Sequence, residues 1–148
     1  MISFIAIGKN EGWKLNRCLE SIFLTIKLNS INKFEIIYVD SKSEDNSIEI
    51  ARKFNKIKIF SIIGKCNAAI ARNIGAKEAK GDFFVFIDGD MEIMPSFFPL
   101  VFENNRLKYD FVSGNWIDYH YSNKESKVVI RKNIKKNNNS DINEFTCG

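Results

Sequence analysis

Apolar runs that stop on polar, ligand-like residues set the narrowest limit on how this chain can fold. Ile2 to Ile7 is a continuous apolar stretch ending at Gly8, and KFEIIYVD (33–40) ends at Asp40. KIKIFSII (56–63) alternates and is followed by Gly64, and DFFVFID (82–88) runs straight into Gly89 and Asp90. Such runs suit buried strands. Between them the period changes. Leu15, Cys18, Leu19, Ile22, Phe23 and Ile26 recur at helical spacing and predict an amphipathic helix from Glu11 to Lys27. SKSEDNS (41–47) carries turn and cap chemistry, and Ile48, Ala51 and Phe54 mark a second helix. NAAIARNIGAKEAKG (67–81) predicts a third helix with Gly81 as its C-cap. Pro95 opens a fourth helix reaching Arg106, and YDFVSGN (109–115) reads as a fifth strand. Strand and helix alternating over short connections give an α/β chain, an open and mostly parallel sheet with helices on both faces.

After residue 115 the rhythm changes. WIDYHYSNKESKVVIRK (116–132) reads as a hairpin, and NIKKNNNSDIN (133–143) is polar, low in complexity and expected to be mobile. The closing EFTCG, a short apolar-to-glycine stretch after such a loop, reads as truncation. The expected division is an α/β domain over 1–115 and a hairpin with a polar loop over 116–148. The net charge of +4 is too mild to argue for nucleic acid, and it suits an anionic ligand or an acidic membrane surface. Cys18, Cys66 and Cys147 are an odd count without CxxC, which favours a reducing compartment. His120 is the single histidine, so a His/Cys zinc site lacks its ligands. The N-terminus has neither a basic leader nor a small-residue cleavage site, and no stretch approaches the ~20 apolar residues of a membrane span. The expectation is a cytoplasmic chain, with attachment at the inner face of a membrane left open.

Ligands of open α/β sheets bind beyond the C-terminal strand ends. There the sequence places Gly8, Asn10 and Glu11, then Asp40 and Ser41, then Lys65, and finally Asp88, Gly89 and Asp90. Two carboxylates one residue apart repel each other unless a cation or solvent intervenes. Mg²⁺ and Mn²⁺ prefer oxygen ligands, typically one or two carboxylates completed by substrate phosphates, so Asp88 and Asp90 are the candidate metal ligands. Gly89 would let the backbone turn and a ligand approach. Plainer readings stand beside these: Asp40 as a helix cap, Lys65 as a solvated side chain, the Asp-Gly-Asp as a simple turn. Neither GxGxxG after the first strand nor GxxxxGK[ST] is present.

IAIGKNEGWKLNRCLESI, EIIYVDSKSEDNSIEIA, NAAIARNIGAKEAKGDFFVFIDGD and VSGN occur in this order over residues 2 to 115. Together they resemble the nucleotide-binding half of a GT-A glycosyltransferase of the inverting family 2, with a Rossmann-like sheet. The resemblance implies transfer of a sugar from a nucleotide-diphosphate sugar, commonly a UDP-sugar, to a hydroxyl of a glycan, lipid-linked or protein acceptor, with Mn²⁺ or Mg²⁺ as cofactor. It implies polysaccharide or cell-envelope biosynthesis as the setting. Asp40 would meet the base or ribose, while Gly8, Asn10 and Glu11 would shape the base pocket. Arg72 would contact the nucleotide, Asp88 would sit near the ribose and metal, and Asp90 would coordinate the metal. A surface ion pair is the plainer reading of Arg72. The sequence departs from the family in having Ile-Gly-Lys where Pro-Thr-Tyr is common and Ser41 where a second aspartate is common. The family's general base and acceptor pocket lie in its second half; Asp118 and Glu144 qualify for the base by residue type alone. Two other readings are a nucleotide-sugar-binding segment without turnover and a haloacid-dehalogenase-type phosphatase, whose D-x-D normally follows the first strand.

Overall fold

The computed structural model describes residues 1–103, 106–107, 110–114, 117–121 and 127–132. The chain divides into two units, Met1–Asp110 and Phe111–Gly148. In the first, β1 (Ile2–Gly8), β2 (Phe34–Asp40), β3 (Ile57–Ser61) and β4 (Phe83–Asp88) form a parallel sheet in the order β3-β2-β1-β4. The connections are α1 (Trp13–Leu28), α2 (Ser47–Arg52) and α3 (Ala68–Glu78).

The pleat sends alternate residues to opposite faces and so builds two cores. Phe4 and Ala6 of β1, with Ile36 and Tyr38 of β2, pack against Leu15, Cys18, Leu19 and Ile22 of α1 and Ile50 and Ala51 of α2. Ile5, Ile7, Ile37 and Val39 face the other way, onto Ala71 and Ile74 of α3. Helices on both faces are therefore what the unbroken apolar runs demand. α3 lies close on β1, because a Cβ on Gly75 would sit 2.3 Å from Ile5 Cγ2.

Several element boundaries differ from the sequence reading. α3 stops at Glu78, and Ala79 is already extended. Gly81 is not a helix cap; its N–H donates to Ser3 Oγ at 2.9 Å, and a Cβ there would lie 2.5 Å from that oxygen. Steric access to β1, not helix termination, calls for glycine at this position. The segment from Pro95 forms a 3-10 turn (Pro95–Phe97) and one turn of helix, α4 (Phe98–Val101), ending well before Arg106. Phe102 is extended and begins β5 (Phe102–Glu103), which pairs with β6 (Arg106–Leu107). Aromatic packing explains the early stop: Phe102 meets Phe83 edge-on at 5.2 Å and Phe98 at 5.3 Å, and Phe98 reaches Phe4. In α2 the buried residue is Ile50 rather than Ile48, and Phe54 lies beyond the helix.

The expected fifth strand is not seen in its described part, 110–114, where Asp110, Ser113 and Gly114 are poor strand formers; residues 109 and 115 lie outside the described residues. In the second unit, β7 (Ile117–Tyr121) and β8 (Lys127–Lys132) pair antiparallel, with a register shift between Asp118 and Tyr119. The polar stretch 133–143, Glu144 and Cys147 lie outside the described residues. Among the described residues no helix is long and apolar enough to cross a membrane.

At the N-terminal edge of the sheet Glu35 is almost fully buried. It accepts hydrogen bonds from Ser3 Oγ (2.6 Å), Lys58 Nζ (2.7 Å) and the Lys80 N–H. Burial alone would raise its pKa; the hydrogen bonds from Lys58, Ser3 and Lys80 outweigh it and pull the pKa down to about 2. The folded value lies below the ordinary 4.5, so this carboxylate contributes its full stability above 4.5 and loses it as pH falls toward 2. Unfolding titrations across that window should show a steeper loss for wild type than for Glu35→Gln; parallel curves would remove Glu35 as the cause. Gly75→Ala should cost about 1–3 kcal/mol by urea denaturation, because α3 must lift from Ile5. An unchanged midpoint would show that the helix has room to move.

Candidate functional site

The parallel register brings the strand ends to one line. Gly8 is paired with Asp40, Asp40 with Ser61, and Ile7 with Asp88. Chain order reverses between β1 and β4, and such a switch point opens a crevice at the C-terminal ends. Gly8, Asp40 and Asp88 end their strands at that edge, and Asn10, Glu11, Ser41, Gly89 and Asp90 lie on the loops that follow.

Two of these loops are locked together. Asn10 takes a left-handed conformation (φ 57°), which asparagine tolerates better than most residues. Its N–H donates to Ser43 Oγ (2.9 Å), and its Oδ1 accepts from the Glu44 N–H (2.7 Å). The Glu11 and Gly12 N–H groups both donate to Ser47 Oγ, at 3.0 and 2.9 Å. The Ser47 hydroxyl in turn donates to Asp45 Oδ1. The Ser41 N–H closes the contact on the Gly8 carbonyl (2.8 Å). Gly12, at φ 48° and ψ −126°, occupies backbone space that a side chain would strain.

Asp40 is fully buried. Its Oδ1 accepts from the Tyr38 hydroxyl (3.1 Å) and its Oδ2 from the Ser43 N–H (2.9 Å). Burial, and then the Asp40 charge, push the Tyr38 phenol up, so it stays protonated and remains a donor. Asp40 is thus tied into the loop scaffold, and it does not cap α2.

Across the crevice Asp88 is half-exposed, and its Oδ1 accepts from Arg72 Nη2 at 2.6 Å. Arg72 comes from the second turn of α3, so helix and strand each supply one partner. The Gly89 N–H donates to the Ile7 carbonyl (2.7 Å), and a Cβ on Gly89 would lie 3.0 Å from that oxygen. The Glu11 stem fills the remaining gap, because its Cγ would meet a Cβ on either Gly8 (2.9 Å) or Gly89 (3.1 Å). Burial, and then repulsion from Asp90, raise the Glu11 pKa. Asp90 itself is exposed, and among the described residues no hydrogen bond or ion pair engages its carboxylate. Behind the turn, α1 anchors the chain that follows: Ser21 Oγ accepts from the Ile93 N–H, and Asn29 Nδ2 donates to the Pro95 carbonyl. Cys18, beneath Asp88, is buried, with its pKa pushed up to about 12 by burial and the nearby carboxylates; it is an inert core thiol.

The sequence profile of Glycosyl transferase family 2 matches residues 3–147. The chain belongs to glycosyl transferase family 2. It is similar to Glycosyltransferase GlyG of Streptococcus pneumoniae, with 32% identity over 127 residues, covering 82% of this chain and 41% of that protein. The chain thus spans about two fifths of that relative's length. In fold it is similar to crystal structures of S. aureus TarS 1-349. One superposes with a TM-score of 0.55 at 24% identity, covering 65% of this chain and 29% of that one. Another, in complex with UDP, gives 0.52 at 26% identity, covering 60% and 27%.

Within this family 2 chain the predicted residues fall into two groups. Glu11, Arg72, Asp88, Gly89 and Asp90 gather around the β1/β4 crevice, whereas Asn10, Asp40 and Ser41 build the loops beside it. Lys65 is exposed on the β3–α3 connection, and among the described residues no hydrogen bond or ion pair ties it to either group. Sequence reasoning missed Tyr38, Ser43, Asp45 and Ser47. Tyr38 was findable, since it shares a strand face with Asp40 two residues on. Ser47 was hidden inside a stretch read as cap chemistry, although the α2 N-cap, Asn46, makes no side-chain cap bond. Ser47→Ala would leave two backbone donors without their acceptor and should cost about 1–3 kcal/mol in chemical denaturation. A loss below about 0.5 kcal/mol would mean that water replaces the hydroxyl.

Proposed function

We propose that this chain is the donor-binding part of a metal-dependent, inverting glycosyltransferase that takes its sugar from a UDP-sugar. The observation carrying this reading is the Asp88-Gly89-Asp90 turn beside the end of β1 at Ile7, next to an arginine from α3, in a family 2 chain. The S. aureus TarS structure in complex with UDP supports the choice of nucleotide. We further propose residues 1–115 as the donor domain and 116–148 as the start of an acceptor-side region. A D-x-D phosphatase fits poorly, because here the motif follows β4 rather than the first strand.

The donor set fits a hard divalent cation. Asp90 offers an exposed carboxylate, and Asp88 keeps one oxygen beyond its bond to Arg72. Among the described residues no three His, Cys, Asp or Glu side chains converge to cage an ion by themselves. A diphosphate and water would supply the remaining ligands, which is the usual habit of Mg²⁺ and its relatives. Asp90 and Asp88 would hold Mn²⁺ or Mg²⁺, and the bound ion would supply positive charge to a leaving diphosphate.

The chain's own residues do the rest. Arg72, fixed against Asp88, keeps further N–H groups free to meet a phosphate oxygen and to share the negative charge that grows as the glycosidic bond breaks. Gly8 and Gly89 make room for the Glu11 stem between the strand ends, and the rigid loops with Asn10, Asp40 and Ser41 would present the base-side wall. The acceptor hydroxyl of a glycan, lipid-linked or protein acceptor would displace the diphosphate directly from the opposite face. A base outside the described side chains would take its proton.

The span of about two fifths of a relative favours one second reading, a segment that binds the donor without turnover. Sugar release from a UDP-sugar with Mn²⁺ separates the two. Calorimetric titration with UDP, then GDP, with and without Mn²⁺, tests the site itself. Wild type should bind UDP only with the metal. Asp90→Asn should lose that binding while its stability stays within about 0.5 kcal/mol of wild type. Equal binding by folded wild type and mutant would remove the metal assignment.

A further inference from the structure

A second surface lies away from the carboxylates, where α1 meets the end of α2. A shallow depression of about 430 Å³ is lined by Glu20, Phe23, Lys53, Phe54, Asn55 and Lys56. Its floor is a stacked aromatic pair, Phe23 and Phe54, with ring centres 5.7 Å apart and planes 9° from parallel. Leu24, beside Phe23, is 48% exposed. Lys27 follows Phe23 by one helical turn, and Arg52 precedes Lys53; both are exposed. Among the described residues no ion pair engages Lys27, Arg52, Lys53 or Lys56. The acidic side chains nearby are Glu20, which accepts a hydrogen bond from Asn16 Nδ2 at 2.8 Å, and Glu49.

We propose that this face docks on an anionic lipid bilayer. Exposed Leu24, one helical turn from Glu20 of the depression, and the half-buried Phe23 and Phe54 rings lie beside four cations. These are the two components of interfacial binding: shallow insertion of apolar side chains and attraction of lysines and arginines to anionic headgroups. The exposed leucine and the phenylalanine floor favour a bilayer over a soluble polyanion, which would use the charges and leave the apolar surface wet. The patch lies toward the edge of the sheet where β3 begins, because Lys56 immediately precedes Ile57, whereas Asp88 and Asp90 lie at the opposite edge. Docking there leaves the nucleotide crevice uncovered, so the inference stands apart from the proposed reaction.

The test is sedimentation of the full chain with phosphatidylglycerol-containing vesicles against pure phosphatidylcholine vesicles. Binding to the anionic vesicles alone, weakened by salt, is expected. Lys53→Gln with Lys56→Gln should weaken it about tenfold or more, and Leu24→Ser should weaken it at unchanged net charge. Circular dichroism and UDP titration of the same variants should match wild type, which separates lost docking from lost folding. No binding, equal binding to both vesicles, or a double variant that binds like wild type would overturn the proposal. So would inorganic polyphosphate that binds as tightly as the vesicles and is indifferent to Leu24→Ser.

Discussion

Everything at the candidate site depends on the parallel pairing of β1 with β2 on one side and β4 on the other. Because all three strands run the same way in fixed register, Gly8, Asp40 and Asp88 reach the same edge whatever their loops do afterwards. A slip of one residue in either ladder would turn inward side chains outward and exchange the two cores. The cores forbid that slip, since Phe4 and Ala6 fit only the α1 side and Ile5 and Ile7 only the α3 side. Packing far from any ligand thus sets the geometry of the acidic turn.

Electrostatics at that edge is handled residue by residue. Asp88 has an arginine partner, Asp40 has a phenol and a backbone N–H, and Asp90 has solvent. For Glu11, burial and the Asp90 charge outweigh the Lys14 charge and the Lys9 backbone hydrogen bond, and it holds its proton more tightly. Arg72 is an ion pair, as the plainer reading of the sequence had it, yet its partner is the first aspartate of the acidic turn. The structural and the functional readings of that residue therefore describe one arrangement.

The sheet, its helices and the family were legible in the sequence because they rest on periodicity and on local motifs. The strand runs ended within a residue or two of the observed β1, β2 and β4. What failed was set by contacts distant in sequence. Gly81 looks like a helix stop, yet its small size serves Ser3, in the first strand. Pro95 does open a helical turn, but the rings of Phe83 and Phe98 decide where Phe102 leaves it. Within the site, residue types at strand ends could be read directly, whereas the Ser47 lock could not. Its hydroxyl serves N–H groups 36 and 35 residues away, and no local pattern marks a serine for that.

The position of β1 also shapes how the chain comes into being. The central strand of the sheet is made first, yet Ile2 pairs with Phe34 on one side and Phe83 on the other. Its second edge stays unpaired until residues in the eighties have left the ribosome. During that interval an unusually apolar strand waits with one face of backbone groups open, and closing so long a loop slows the final pairing. A chain held in that interval offers the open edge of β1 to other chains, the hazard of any strand left long unpaired.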